Sequence, residues 1–430
     1  MSKVFNIREH VIDASHIREY ARGTATSQEE PLKLHIKEYV PCDYKDPQKG
    51  DLTIIGLHGN GFPKETYEPL WEDLIPELRK RGIRVRAIWA ADATWQGKSG
   101  ILNRQNTGDD PGWHDFSRDV QLMINTFRMP RPIMGIGHSL GAGVLVNVSL
   151  SNPRLLSSLV LIEPVLEQPV KTSKERYTVP AWLCAMRRDK WPSWEAASQS
   201  FRRSKFYIDW DPRALDCWIE HGLVDDPGRE AGSKEVTLAT SKHQETFIYQ
   251  RPSFQAFGPD GVELLDRDAV PDMDHEAGDN AQVVPVYRPE MATTFDQLKN
   301  VRPNVLYIFS GKSYMSTAPQ REEKLRRTGI GRGGSGGRAA GRVDCVVGTQ
   351  YSHQIPFQAP GFCAEAAADW AVKSLERWHK EEEEFEAWTK KSLKEKSSIS
   401  EEVLAKMKPD EKVMKAMARP KKTPRPVAKL

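Results

Sequence analysis

The stretch Arg131–Val146, RPIMGIGHSLGAGVLV, decides how the chain reads. Apolar residues lead into Gly137-His138-Ser139-Leu140-Gly141, and small and branched residues follow. This is a strand, an abrupt turn and a helix, with Ser139 on the turn. Glycines on either side of the serine relieve crowding at a strained elbow, so its hydroxyl stands exposed above a sheet. Gly-rich turns of this kind also occur for packing alone. A nucleophile at Ser139 therefore requires a base, an acid and oxyanion donors elsewhere in the chain.

Working outward, strand-like and helix-like segments alternate, which argues for an α/β fold with a mostly parallel sheet and helices on its faces. Leu32–Val40 alternates with period two, and Leu52–Gly59, Ile83–Asp92 and Leu156–Pro164 are short apolar runs. Helical spacing fills Glu65–Gly82 and Asp115–Phe127. From Val165 to Arg302 the alternation stops, and Pro, Trp and charged residues accumulate in helical pieces. The pattern returns with Pro303–Gly311 and Gly341–Gly348, followed by a long helix over Gly361–Ser392. The expected organisation is a core over residues 1–164, a mainly helical lid over 165–302, a second part of the core over 303–392, and a basic disordered tail over 393–430.

Length and composition suit an enzyme with a large α/β domain and an insertion: 430 residues, 39% apolar and 28% charged. No apolar run reaches membrane-spanning length, and the polar N-terminus does not read as a secretory signal. Five scattered cysteines, never in C-x-x-C spacing, read as reduced intracellular thiols rather than a disulfide framework or a zinc site. The net charge is +3, yet residues 389–430 hold 13 Lys and Arg against 5 Asp and Glu. The remainder is thus mildly acidic, and the tail lacks aromatics, so a nucleic-acid partner is not expected.

The base must follow the acid in an order of nucleophile, acid, histidine. Of the histidines after Leu150, only His353 follows a buried strand within a few residues. The strand after the lid ends without a carboxylate before Glu322, whereas Leu156–Pro164 ends in Leu-Ile-Glu-Pro. Glu163 is therefore the acid, with Glu167 as the fallback. The amides of Leu140 and Asn60 are the expected oxyanion donors, with Gly61 and Phe62 as neighbours of Asn60, while His58 holds the turn. Gly329–Gly341 contains G-x-G-x-x-G but precedes a strand, so it reads as a loop beside the site whose Arg326, Arg327, Arg332 and Arg338 meet an anionic group. Asp272–Asp279 around His275 reads as a solvated loop and not a metal site. No metal and no cofactor is expected.

With HGNGFPKE (58–65), GIGHSLGAG (135–143), LIEP (161–164), GRGGSGG (331–337) and GTQYSHQIPF (348–357) in this order, the chain resembles a fungal α/β-hydrolase group of secondary metabolism. The group contains toxin-biosynthesis hydrolases and peroxisomal acyl-CoA hydrolases, and the likeness covers roughly Phe5 to Trp388. It implies Ser139 as nucleophile, Glu163 as acid and His353 as base. Its members carry aspartate where this chain has Glu163, a carboxylate one methylene longer. The implied reaction is hydrolysis of acyl-CoA thioesters with a bulky acyl group. The lid tryptophans Trp182, Trp191, Trp194, Trp210 and Trp218 are candidates for an acyl pocket, and Phe62, Trp182, Arg332 and Arg338 for substrate contacts.

Ala428-Lys429-Leu430 is close to the S-K-L peroxisomal address, so a peroxisomal import receptor and a peroxisomal location are expected. Hydrolysis of oxygen esters by the same three residues is the alternative activity, and a non-catalytic ligand binder is a third. Epoxide or haloalkane hydrolysis is disfavoured because those reactions use aspartate at the elbow. The oligomeric state is open, a homodimer included.

Overall fold

Four strands of the main sheet are unbroken runs of buried residues. In chain order the first strands are β1 (Phe5–Asp13), β2 (Lys33–Pro41), β3 (Leu52–Leu57), β4 (Val85–Ala91), β5 (Ile133–His138) and β6 (Ser158–Ile162). Between them lie α1 (Glu68–Lys80), α2 (Gly97–Leu102), α3 (Trp113–Thr126) and α4 (Leu140–Ser151). An excursion then carries α5 (Lys174–Met186), β7 (Lys190–Trp191), α6 (Trp194–Arg203), α7 (Pro212–His221), β8 (Leu223–Asp225) and β9 (Val236–Leu238). It continues through α8 (Lys242–Tyr249), β10 (Arg251–Pro252), β11 (Val286–Tyr287) and α9 (Glu290–Gln297). The chain returns through β12 (Asn304–Ser310), α10 (Ala318–Arg327), β13 (Val343–Gly348), α11 (Ile355–Gln358) and α12 (Pro360–Thr389). The computed structural model describes residues 4–167, 174–252, 254–259, 263–270 and 286–417.

Eight strands form one sheet in the order β1-β2-β4-β3-β5-β6-β12-β13. β2 runs antiparallel to both neighbours, and the pairs from β4 onward are parallel. The carboxyl ends of β3, β5, β6, β12 and β13 therefore share one edge, where open α/β sheets carry their sites. β1 is a strand that the sequence does not announce. Only Phe5 of its residues is buried, so it lacks the apolar alternation that marks β2.

Alternation within the central strands builds two cores, one on each face. Ile54, Ile136, Val160 and Ile308 face one way, against Trp71 and Leu74 of α1 and Ala364 and Ala368 of α12. Their neighbours Ile55, Leu161 and Phe309 face the other way, against Phe116 and Met123 of α3, Val144 of α4 and Phe295 of α9. The lid's Trp191, Trp210 and Trp218 are buried in the first of these cores. They pack with Phe201 and Tyr207 instead of standing open to a ligand.

The excursion is more than helical: β7, β9 and β8 form a small sheet of their own, and β10 pairs with β11. Its helices begin where the sequence supplies caps. The Ser193 hydroxyl accepts from the Ala196 N–H, Ser241 from Gln244, and Asp211 precedes Pro212 at the first position of α7. Residues Arg377–Leu430 form a unit separate from Met1–Glu376. In that second unit, where the sequence suggests disorder, the structure forms α13 (Leu393–Ser397), α14 (Glu401–Met407) and α15 (Glu411–Met417). Ser392 and Ser400 cap the first two, local signals that composition does not weigh, and none of the three buries a residue. Ala428-Lys429-Leu430 and Asp272–Asp279 lie outside the described residues.

One contact fixes α1 on the sheet. A Cβ on Gly56, in β3, would stand 2.5 Å from the Trp71 ring, which is buried. Gly56→Ala should therefore force Trp71 off its seat and lower stability by about 1–3 kcal/mol, read as a reduced urea midpoint. An unchanged midpoint would mean that α1 shifts freely on the strand.

Candidate active site

The elbow begins where β5 ends. Ser139 has a φ of 53° and heads α4, and its N–H donates to Ile162 O at 2.9 Å. A Cβ on Gly137 would meet Gly141 O at 2.6 Å, and one on Gly141 would meet Leu57 O at 2.6 Å. Only glycine allows helix and strand to close this tightly around the serine. Ser139 is 9% exposed, at the carboxyl edge of the sheet.

Two loops bring polar partners to the same edge. Glu163 directly follows β6, with a φ of 46°, and its N–H donates to Ile308 O at 2.9 Å. His353 follows β13 by five residues. Its Nδ1 lies 3.1 Å from Glu163 Oε2 and its Nε2 lies 3.1 Å from Ser139 Oγ. A carboxylate accepts only, so Nδ1 carries the proton, and the bare Nε2 receives the Ser139 O–H. The Ser310 N–H donates to the second carboxylate oxygen of Glu163 at 2.7 Å. Burial drives the Glu163 carboxyl upward. The bond and charge of His353, with Ser313 and the Ser310 amide, outweigh it and hold the group below its ordinary 4.5. The fallback, Glu167, accepts from Gln320 on α10 instead.

The loop after β3 is pinned from several sides. The Asn60 side chain donates to Glu245 O of α8 at 2.9 Å and accepts from Gln96, whose own Oε1 accepts the Gly61 N–H at 3.0 Å. Leu140, the first residue of α4, has no helical acceptor for its N–H. Leu140 directly follows Ser139, and Asn60 adjoins Gly59, where a Cβ would stand 3.3 Å from Ser139 Cβ. His58 Nε2 accepts the Ala93 N–H at 3.0 Å and Nδ1 donates to Gly59 O at 2.9 Å, which holds the turn and fixes a neutral ring. Further along, the buried Lys64 ammonium meets Asp92 at 2.5 Å and Glu65 at 3.0 Å.

Of the remaining assignments, the arginines need correction. Phe62 packs in an aromatic cluster, its ring 4.8 Å from Phe357 and 5.7 Å from Trp210 and Trp218. Trp182 is 65% exposed on α5. Arg332 and Arg338 belong to a loop at the opposite edge of the sheet. Gly329 N–H donates to Leu298 O and Ser335 N–H to Val301 O, just before β12 begins. The seven residues of β12 separate that loop from the edge holding Ser139, a rise of about 20 Å. Arg338 faces Glu322 at 3.6 Å. A Gly-rich loop before a strand lies at its amino end, so arginines there do not reach a site at the carboxyl ends. Gln96, Asp92 and Tyr67 carry no signal in the sequence, whereas His138 has one, its place inside the elbow.

The pattern of the alpha/beta hydrolase family matches residues 54–321. The chain is 35% identical over 402 residues to the type I acyl-CoA thioesterase mpaH′ of Penicillium brevicompactum, covering 89% of this chain and 90% of that protein. It is 34% identical over 406 residues to the type I acyl-CoA thioesterase mpaH of Penicillium roqueforti, covering 89% and 91%. In fold it is similar to the peroxisomal α/β-hydrolase Lpx1 of Saccharomyces cerevisiae, with a TM-score of 0.65 at 16% identity, covering 93% of this chain and all of that one.

Acid should unfold the protein through its neutral histidines. Burial pushes His58 below its ordinary 6.5, and pushes His138 well below it with help from the nearby His353. Below about pH 6.5 the unfolded chain binds protons that the native state refuses, so stability falls as pH falls. Each of the two contributes a slope of up to about 1.4 kcal/mol per pH unit. Urea midpoints at pH 7.5 and 5.5 would read it, and equal midpoints would mean that both rings take up protons in the fold.

Proposed function

The chain belongs to the α/β-hydrolase family, and from that premise we propose that it is a serine hydrolase cleaving acyl-CoA thioesters to a free acid and coenzyme A. The observation carrying this reading is the continuous hydrogen-bonded series Ser139–His353–Glu163, with 3.1 Å at each link. The substrate class is supported by the relatives of about 35% identity, which are named type I acyl-CoA thioesterases along nine-tenths of their length.

The steps follow from the geometry. Ser139 Oγ attacks the thioester carbonyl while His353 Nε2 takes its proton. Glu163, ionised and buried, stabilises the imidazolium so formed through the Nδ1–H bond. The carbonyl oxygen, now negative, is held by the N–H groups of Leu140 and Asn60. As the tetrahedral intermediate collapses, the carbon–sulfur bond breaks and His353 returns the proton to the departing coenzyme A sulfur. Water, activated by His353 in turn, attacks the acyl-enzyme and releases the acid.

Thiol release from a panel of acyl-CoAs of differing bulk, beside simple oxygen esters, tests the proposal. Ser139→Ala and His353→Ala should each lose about three orders of magnitude or more in turnover, and Glu163→Ala about two to four, with folding intact. Retained turnover in Ser139→Ala would end the serine mechanism. Cleavage of esters alone would keep the mechanism and move the activity to carboxylic esters.

A further inference from the structure

Beneath the elbow, polar groups from separate segments meet in one line. The Gly59 N–H donates to Tyr67 Oη at 2.8 Å, and that oxygen lies 2.7 Å from His138 Nδ1. The other ring nitrogen, His138 Nε2, lies 3.0 Å from the carbonyl oxygen of His353. A carbonyl only accepts, so Nε2 carries the proton and donates. In a neutral ring Nδ1 is then the acceptor, and the Tyr67 O–H donates to it. Tyr67 keeps a lone pair for Gly59. Every polar atom in the line is satisfied by this one arrangement of protons. Tyr67 is 2% exposed and His138 1%, so a broken link would strand a buried polar group without water to replace the partner.

We infer that Tyr67 and His138 are positioning residues of this site, forming a relay that holds the oxyanion loop, the nucleophile elbow and the loop of the base in one register. The inference rests on the reading of Ser139, His353 and Glu163 given above. Each anchor falls one step from a working atom. Gly59 precedes Asn60, the proposed oxyanion donor. His138 precedes Ser139. The third anchor is the backbone carbonyl of His353 itself, so the relay fixes the stem from which that ring reaches both Ser139 and Glu163. Aromatic walls hold the line rigid: Phe357 stands edge-on to Tyr67 at 4.9 Å and to His138 at 5.6 Å between ring centres.

Charge gives the relay a second consequence. The His138 ring centre is 5.1 Å from that of His353. When His353 takes the serine proton it becomes positive, and a second positive ring at that distance would oppose it. The relay's proton arrangement requires a neutral His138, so the neighbour of the base stays uncharged through the reaction.

Tyr67→Phe removes one O–H and leaves the ring in its packing. In this variant kcat for acyl-CoA hydrolysis should fall about 10–100-fold with KM within about twofold, because atoms are misaligned and binding is not lost. The rate at which a fluorophosphonate labels Ser139 should fall by the same factor. Labelling at the wild-type rate, or a loss confined to KM, would overturn the inference. The wild-type protein offers a check that no folding defect can obscure. Its 15N spectrum at neutral pH should show His138 protonated on Nε2 and bare on Nδ1, and the opposite tautomer or a doubly protonated ring would overturn the relay. Failure of the hydrolase reading is recognised separately, by wild-type protein that neither turns over acyl-CoA nor takes the fluorophosphonate. That result takes the relay down with it.

Discussion

Glu163 is a buried carboxylate, and much of the site is arranged around keeping it ionised there. Its side chain has no exposure, so water contributes nothing to its charge. An ion moved into such a place without partners would cost several kcal/mol or take up a proton instead. Three groups prevent this: the His353 ring, the Ser313 hydroxyl and the Ser310 amide. These come from the ends of two neighbouring strands, β12 and β13. Parallel pairing in register, with Ile162 opposite Ile308 and Ser310 opposite Gly348, delivers them to one point. The sheet is therefore the device that makes a buried charge tolerable, and the buried charge fixes the tautomer of His353.

The extra methylene of glutamate fits this geometry through the backbone. Glu163 takes a φ of 46°, an uncommon conformation for a residue with a side chain, immediately after β6. Its N–H still bonds to Ile308 O, so the strand pairing with β12 runs on to the last residue before the turn. Both oxygens of the longer side chain find donors on β12 and on the loop after β13. Ser139 is strained in the same way on the neighbouring strand. Two left-handed residues at adjacent strand ends are costly on their own terms, and each is held by a hydrogen bond to the strand beside it.

The architecture and the three hydrogen-bonded side chains are legible in sequence for one reason: strands buried on both faces write long apolar runs, and the residues that close each run stand out. Ser139, Glu163 and His353 all follow such runs. β1 was not legible because an exposed edge strand has no apolar face to write. The Gly/Arg segment misled because its composition suggests a ligand while its position, before β13 and not after it, assigns it to the wrong edge. The aromatic residues misled for a similar reason. Composition does not say whether Trp210 or Trp218 faces a core or a cavity, and both are core. Gln96 and Tyr67 were invisible because their partners are backbone atoms and single side chains far away in sequence, and no spacing rule links them.

Histidines and lysines near the site divide sharply, and the division has a physical logic. Lys64 is buried and charged, because Asp92 and Glu65 more than offset the cost of its burial. His58 and His138 are buried and neutral, since each donates one ring proton and accepts at the other nitrogen. The proposed cycle, which creates one transient positive charge on His353, needs this division. Fixed charges that are already paired do not respond when the imidazolium forms, whereas an ionised histidine beside it would raise its energy directly. The segment after β3 thus rests on ion pairs at Lys64, and the His138 ring beside His353 is tied by neutral hydrogen bonds. Exchanging the two arrangements would leave the packing possible and the chemistry opposed.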